Sequence, residues 1–238
     1  FKKYNINAKY NFLELSDNYF DRKMNELKKE KDVCGINITI PFKRKIIKHC
    51  KSLDTHSRKI NAVNCLELRS KNRGYNTDWL GYFNTIPKNK NLKEKNIILI
   101  GYGGASLAIH YLLKQKGFKK IYIFNRTKRK IRFEKKTKYT LGTNKLYEYL
   151  PSASLIINTT PTNPLSKINA ELVNKSSILS DIVYKPKQTK FLQKFPKNRK
   201  IYGISMLLEQ AVISFEIWFG FKPKIDKVLI KTLDRKIK

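Results

Sequence analysis

The sequence predicts an α/β fold containing parallel strands, and two observations carry that expectation. Residues 97–127 read as an apolar run, IILI (97–100), a glycine turn, GYGGAS (101–106), an amphipathic stretch, LAIHYLLKQKGF, and a second apolar run, IYIF (121–124), that ends in NRT. Strand, tight turn, helix, strand is a βαβ unit, whose strands must run parallel. Further on, SLIIN (154–158) and ILSDIVY (178–184) are two more short apolar runs, each followed by a polar loop containing proline.

In chain order, residues 4–15 (YNINAKYNFLEL) carry an extended apolar pattern consistent with a strand. Ser16 or Asp17 caps a helix expected to run to about Lys29, with Phe20, Met24 and Leu27 on its apolar side. INITI (36–40) is the next strand, and Pro41 ends it and is placed to open a helix. Lys43 would then lie in the first helical turn, where a cation is disfavoured and proton release eased. The plainer reading makes it the first of an exposed basic series with Arg44, Lys45 and Lys48. INAVNCLEL (60–68) passes from a helix end into a strand, with Asn61 in a left-handed turn. Asn76, Thr77 and Asp78 precede an apolar helical pattern, which is an N-cap sequence. Asp78 thus has two readings: a cap, or a buried carboxylate paired with Lys43. Residues 87–96 read as a polar connector, and 131–150 carry little pattern. Pro186 and Thr189 punctuate a loop and a helix start. Residues 202–220 form a long apolar helix closed by Gly220, with Met206, Gln210, Ile213 and Ile217 on one stripe. Gln210 is polar within that stripe and needs a partner, either a protein group or a ligand.

Glycines in the 101–106 turn let the backbone bend sharply and let phosphate oxygens approach its amides. The helix opening there points unpaired N–H groups at an anion. Ser106 stands where a third glycine is usual and is small enough for close helix–strand packing. Such a turn also serves plain structure. The end of the second strand adds an independent sign: Asn125, Arg126 and Thr127 stand where an NAD site wants an acidic residue. Arginine there suits the 2′-phosphate of NADP. The competing reading is one more basic residue in a very basic chain.

A length of 238 residues allows one large domain or two modest ones, and 41% hydrophobic residues can build a core. No run of about 18 apolar residues occurs, so no transmembrane helix is expected. The formal charge of +33 invites a polyanion-binding reading. The basic residues, however, are scattered over nearly every segment, and Asn, Ile, Tyr and Phe are abundant with Lys, as A+T-rich codons favour. Compositional bias is the expected source, and no specific nucleic-acid partner is expected. Cys34, Cys50 and Cys65 lack paired or metal spacing, which fits a reducing, cytoplasmic compartment and no metal site. His49, His56 and His110 form no cluster, and His110 is expected to be structural. The first residue is Phe1 rather than methionine, so a natural start upstream is expected.

Taken together, these motifs resemble the shikimate dehydrogenase family over nearly the whole length. NITIPFK (37–43) is similar to its Asn-Val-Thr-Ile-Pro-Phe-Lys run, NAVN (61–64) to Gly-Ala-Val-Asn, and GYNTD (74–78) to Gly-Tyr-Asn-Thr-Asp. GYGGA (101–105) resembles its Gly-Ala-Gly-Gly-Ala turn, and NRT (125–127) and NTTP (158–161) its cofactor loops. DIVYKP (181–186) and GISMLLEQ (203–210) resemble its later runs. The resemblance implies interconversion of 3-dehydroshikimate and shikimate with NADP(H), Lys43 and Asp78 being the catalytic pair. It places Thr39, Asn64, Asp78, Tyr184 and Gln210 on the substrate. It places Gly101, Gly103, Gly104 and Ala105 on the pyrophosphate, and Asn125, Arg126, Thr127 and Lys130 around the 2′-phosphate. Thr159, Gly203 and Met206 complete the cofactor contacts. Two departures carry expectations. The family's Ser-x-Ser element, which binds the substrate carboxylate, would precede Phe1, and without it activity should be weak or absent. Tyr102 replaces a usual alanine and should crowd the pyrophosphate; Asn61 and Leu107 also depart from the usual residues.

The expected organisation is a substrate-binding and catalytic domain, 1–78 plus 203–238, and a Rossmann-type NADP-binding domain, 79–202. Its active site would lie in the cleft between them. The expected partner is a small molecule, not a membrane, and the chain would be a monomer or homodimer. Two other readings stay open: a quinate/shikimate dehydrogenase using NAD, which Arg126 disfavours, and a noncatalytic relative that only binds nucleotide, which the retention of Lys43 and Asp78 disfavours.

Overall fold

The structure, a computed structural model, describes residues 1–88 and 90–236. Its first half is built on a four-stranded mixed sheet. The strands are β1 (Gly35–Asn37), β2 (Ser52–Leu53), β3 (Cys65–Glu67) and β4 (Arg73–Tyr75), in the order β1-β3-β4-β2. β3 pairs antiparallel with β1 and β4, while β2 joins β4 in parallel. Helix α1 (Asp17–Leu27) buries Phe20, Met24 and Leu27 against Ile38, Ile46, Val63 and Leu66, the side its spacing predicts. Helix α2 (Thr55–Ile60) is capped by Asp54, whose carboxylate accepts from the amides of His56 and Ser57. It closes on Asn61 at φ 59°, the expected left-handed turn. Helix α3 (Asp78–Phe83) follows β4 directly.

Two expectations fail here. Residues 4–15 form no strand; a short helical turn at Lys2–Tyr4 is the only regular structure before α1. An alternating pattern becomes a strand only beside a partner, and no described strand pairs with this segment; Tyr10 and Phe12 stay 63% and 81% exposed. Nor does Pro41 open a helix. The Ile40–Pro41 peptide is cis and the chain turns, with helical geometry beginning only at Lys45. Lys43 therefore sits in a turn, not at a helix end, and the helix-dipole argument for easing its proton release does not apply.

The second half is a five-stranded, wholly parallel sheet. Its strands are β5 (Asn96–Ile100), β6 (Lys120–Phe124), β7 (Ala153–Asn158), β8 (Ile178–Asp181) and β9 (Arg199–Ile201), in the order β6-β5-β7-β8-β9. Both faces are covered, which is why these strands read as unbroken apolar runs. Ile97, Leu99, Leu155 and Ile157 pack beneath α4 (Gly104–Gln115), while Ile98, Ile100, Ile156 and Leu179 face the other way. Two short helices, α5 (Leu146–Tyr149) and α6 (Lys190–Gln193), complete this half. Thr189 caps α6 by accepting from the Leu192 amide. The connector 87–96 holds a helical turn at Lys90–Glu94. The three-residue β9 and the basic α8 (Lys227–Lys236) were not legible in the sequence.

Helix α7 (Gly203–Phe219) ends on Gly220 and returns to the first half, where the Trp218 indole donates to the Leu66 carbonyl at 3.0 Å. It also packs on α3. A β-carbon added at Gly81 would lie 2.8 Å from the Gln210 nitrogen, so glycine is what lets the two helices approach. No helix among the described residues is long and apolar enough to cross a membrane.

His110 is structural, as expected. It is fully buried in α4, and burial pushes its pKa down to about 4. Between that value and the ordinary one near 6.5, the unfolded chain binds a proton that the folded chain refuses. Stability must therefore fall as pH drops through this window, by at most about 3 kcal/mol. In a His110→Gln variant, this part of the pH dependence of the melting temperature should flatten; an unchanged slope between pH 6.5 and 4 would count against it.

Candidate active site

The two charged residues singled out by the sequence meet. Lys43 Nζ lies 2.7 Å from Asp78 Oδ2, and the two side chains are only 13% and 7% exposed. Three local features place them. Lys43 is held in its turn by its own carbonyl, which accepts from the Val63 amide at 2.7 Å. Asp78 opens α3, where a carboxylate also suits the helix dipole. Asn64, just before β3, donates through Nδ2 to Asp78 Oδ1 at 3.0 Å, so both carboxylate oxygens are engaged.

Gln210 comes in from α7. Its Oε1 accepts from Asn64 Nδ2 at 3.3 Å and from the Thr77 hydroxyl at 3.3 Å. The polar residue in the apolar stripe thus finds its partners in the cluster. Thr77, read from the sequence only as part of an N-cap, and Ser214, which sequence reasoning passed over, belong to it as well. Thr77 donates its amide to Asn64 Oδ1 at 2.6 Å, and its hydroxyl lies 3.3 Å from that of Ser214. A short polar residue one turn along from Gln210 was the only available signal for Ser214. Thr39 is exposed in the turn before Pro41, and Tyr184 is 42% exposed after β8. Neither bonds to the cluster.

The glycine turn follows β5, and the loop at Thr159 follows β7. β5 and β7 are the neighbours between which the strand order reverses, where α/β sheets open a crevice at their carboxyl ends. Gly101 has φ 97°, and a β-carbon there would meet the Thr159 hydroxyl at 2.5 Å. Only glycine satisfies both demands. That hydroxyl donates to the Ile100 carbonyl at 2.7 Å. Gly103 is exposed, with open space where a side chain would stand, so the turn's amides can be approached by a phosphate. A β-carbon at Gly104 would sit 3.3 Å from Lys43 Cδ, so the stem of Lys43 lies along the glycine turn itself.

Beside this turn, the β6 end carries Asn125, half-buried, with Arg126, Thr127 and Lys130 exposed. Asn125 Nδ2 donates to the Thr127 carbonyl at 2.7 Å and holds the loop. Met206 and Gly203 are buried at the start of α7, Gly203 against the carbonyls of Ile182 and Val183. Tyr102 does not crowd the turn. Its ring is buried in the core, 7% exposed, beside the His110 ring of α4 at 6.1 Å between centroids.

Fold and site together define an α/β protein of the dinucleotide-binding oxidoreductase class. Three family profiles match the chain in order: the shikimate dehydrogenase substrate-binding domain over 1–66, shikimate/quinate 5-dehydrogenase over 85–183, and the shikimate 5′-dehydrogenase C-terminal domain over 203–229. The chain is 36% identical over 226 residues to the shikimate dehydrogenase (NADP(+)) of Methanobrevibacter smithii, covering 87% of this chain and 80% of that protein. The crystal structure of shikimate dehydrogenase from Aquifex aeolicus superposes with a TM-score of 0.73 at 30% identity, over 88% of this chain and 80% of that one. Shikimate dehydrogenase 1 from Peptoclostridium difficile gives 0.80 at 26% identity, over 100% and 89%. The chain belongs to the shikimate dehydrogenase family.

Proposed function

We propose that the chain is an NADP-dependent shikimate dehydrogenase, interconverting 3-dehydroshikimate and shikimate, with Lys43 and Asp78 as its catalytic pair. The observation that supports this best is the 2.7 Å contact between these side chains, directly against the glycine turn. Bound NADPH supplies the hydride to the carbonyl carbon. In this reading Lys43 Nζ carries the proton that the carbonyl oxygen takes up as it becomes a hydroxyl. Asp78 holds that ammonium in place. Asn64, Thr39, Gln210 and Tyr184 offer amides and hydroxyls to a polyhydroxylated ring, the lining that rejects analogues lacking those groups.

The cofactor would lie across the switch point. Gly101, Gly103, Gly104 and Ala105 would line the pyrophosphate, with Asn125, Arg126, Thr127 and Lys130 at the 2′-phosphate. Thr159, Gly203 and Met206 would flank the remainder. The corresponding domain division is 1–78 with 203–238, and 79–202. The test is direct: incubate the purified chain with shikimate and either NADP+ or NAD+, and follow absorbance of the reduced cofactor. Formation of NADPH at a rate well above that of NADH is expected. No reduction with either cofactor would refute the assignment, and faster reduction of NAD+ would refute the 2′-phosphate site.

A further inference from the structure

Tyr102 has no role in the reading above, yet its hydroxyl is the centre of a buried junction. It accepts from the Arg132 backbone amide at 2.7 Å and lies 3.4 Å from His110 Nδ1, to which it can donate because burial keeps that imidazole neutral. The Arg132 amide belongs to the end of a short antiparallel ribbon. Ile131 donates its amide to the Lys138 carbonyl at 2.8 Å, Thr140 its amide to the Arg129 carbonyl at 2.9 Å, and the Arg129 amide donates to the Thr140 hydroxyl at 3.0 Å. Lys130 lies between, bridged to Tyr139. Beyond the junction, the Arg132 guanidinium reaches the Lys59 carbonyl at 3.2 Å. Tyr102, Arg129, Lys130 and Arg132 line one cavity of about 880 Å³.

The ribbon's tip leans on α4, where the Phe133 ring packs on His110 and Tyr111 and Lys114 pairs with Glu134 at 3.2 Å. The crossover from β6 to β7 holds the four-residue α5 between two short helical turns, so the basic segment after Arg126 takes its place from its own ribbon bonds, from these contacts with α4, from the Arg132–Lys59 bond and from Tyr102. Tyr102 is also the second residue of the glycine turn. One hydroxyl therefore joins the turn proposed for the pyrophosphate to the segment proposed for the 2′-phosphate. We propose that Tyr102 is a positioning residue for cofactor selectivity: it holds the 129–132 ribbon at the distance from the glycine turn that places Lys130 against a 2′-phosphate. This rests on the NADP reading above.

The test is Tyr102→Phe, which keeps the buried ring and removes only the hydroxyl. The KM for NADPH should rise about tenfold, the effect of one buried hydrogen bond, while kcat and the KM values for NADH and 3-dehydroshikimate stay within about twofold. In a Lys130→Ala background the same substitution should change the NADPH KM little, since the group being positioned is gone. Thr140→Val loosens the same ribbon without touching Tyr102 and should reproduce the selective loss. Equal increases in KM for NADPH and NADH, or an unaltered preference in both Tyr102→Phe and Thr140→Val, would overturn the proposal. A wild-type enzyme with no preference for NADPH would instead overturn the 2′-phosphate site itself.

Discussion

Lys43→Ala should lower turnover of 3-dehydroshikimate by roughly a hundred- to ten-thousand-fold, the usual range for loss of a positioned proton donor. The proton must otherwise come from water. Binding of NADPH should stay near that of the wild type, because the phosphates are expected on backbone amides of the glycine turn. The stem of Lys43 lies along Gly104, so alanine also leaves a gap there. Lys43→Met keeps that stem and should lose turnover equally, which separates the ammonium from its packing. Single-turnover absorbance measurements give the chemical step, and quenching of protein fluorescence gives the NADPH affinity. Turnover preserved in either variant would refute the role assigned to Lys43.

Asp78→Ala should cost both activity and stability. Removing the carboxylate leaves a lysine ammonium, only 13% exposed, without its partner, and leaves Asn64 Nδ2 short of an acceptor. A loss of about 3 kcal/mol in urea unfolding is expected, the lower end for breaking a buried pair because Lys43 retains some contact with water. The double variant Lys43→Met/Asp78→Ala should recover part of that stability and none of the activity. That divergence is the useful outcome, since a purely structural ion pair has no activity to lose. If Asp78→Ala were as stable and as active as the wild type, the pair would be neither structural nor catalytic.

Legibility followed the range of the interaction. The βαβ unit, the buried side of α1, the left-handed turn at Asn61 and the stop at Gly220 were all readable, because each depends on neighbours within a turn or two. The strand expected before α1 and the helix expected after Pro41 were misread. In both, the local pattern was present and the tertiary partner or backbone direction was not. β9 is too short to announce itself, and α8 resembles the rest of a lysine-rich chain.

The sequence by itself determined which residues bear charge, where the backbone must be glycine and which stretches bury a face, since spacing and side-chain chemistry are local properties. Only the tertiary structure decided that Lys43 lies against Asp78 and the glycine turn, that Gln210 closes the polar cluster, and that Tyr102 turns inward. Lys43 and Asp78 are 35 positions apart, and Asn64 and Gln210 are 146 apart. Contacts at such separations arise from the packing of α3 on α7 and from the crossing order of five parallel strands, which no periodicity encodes.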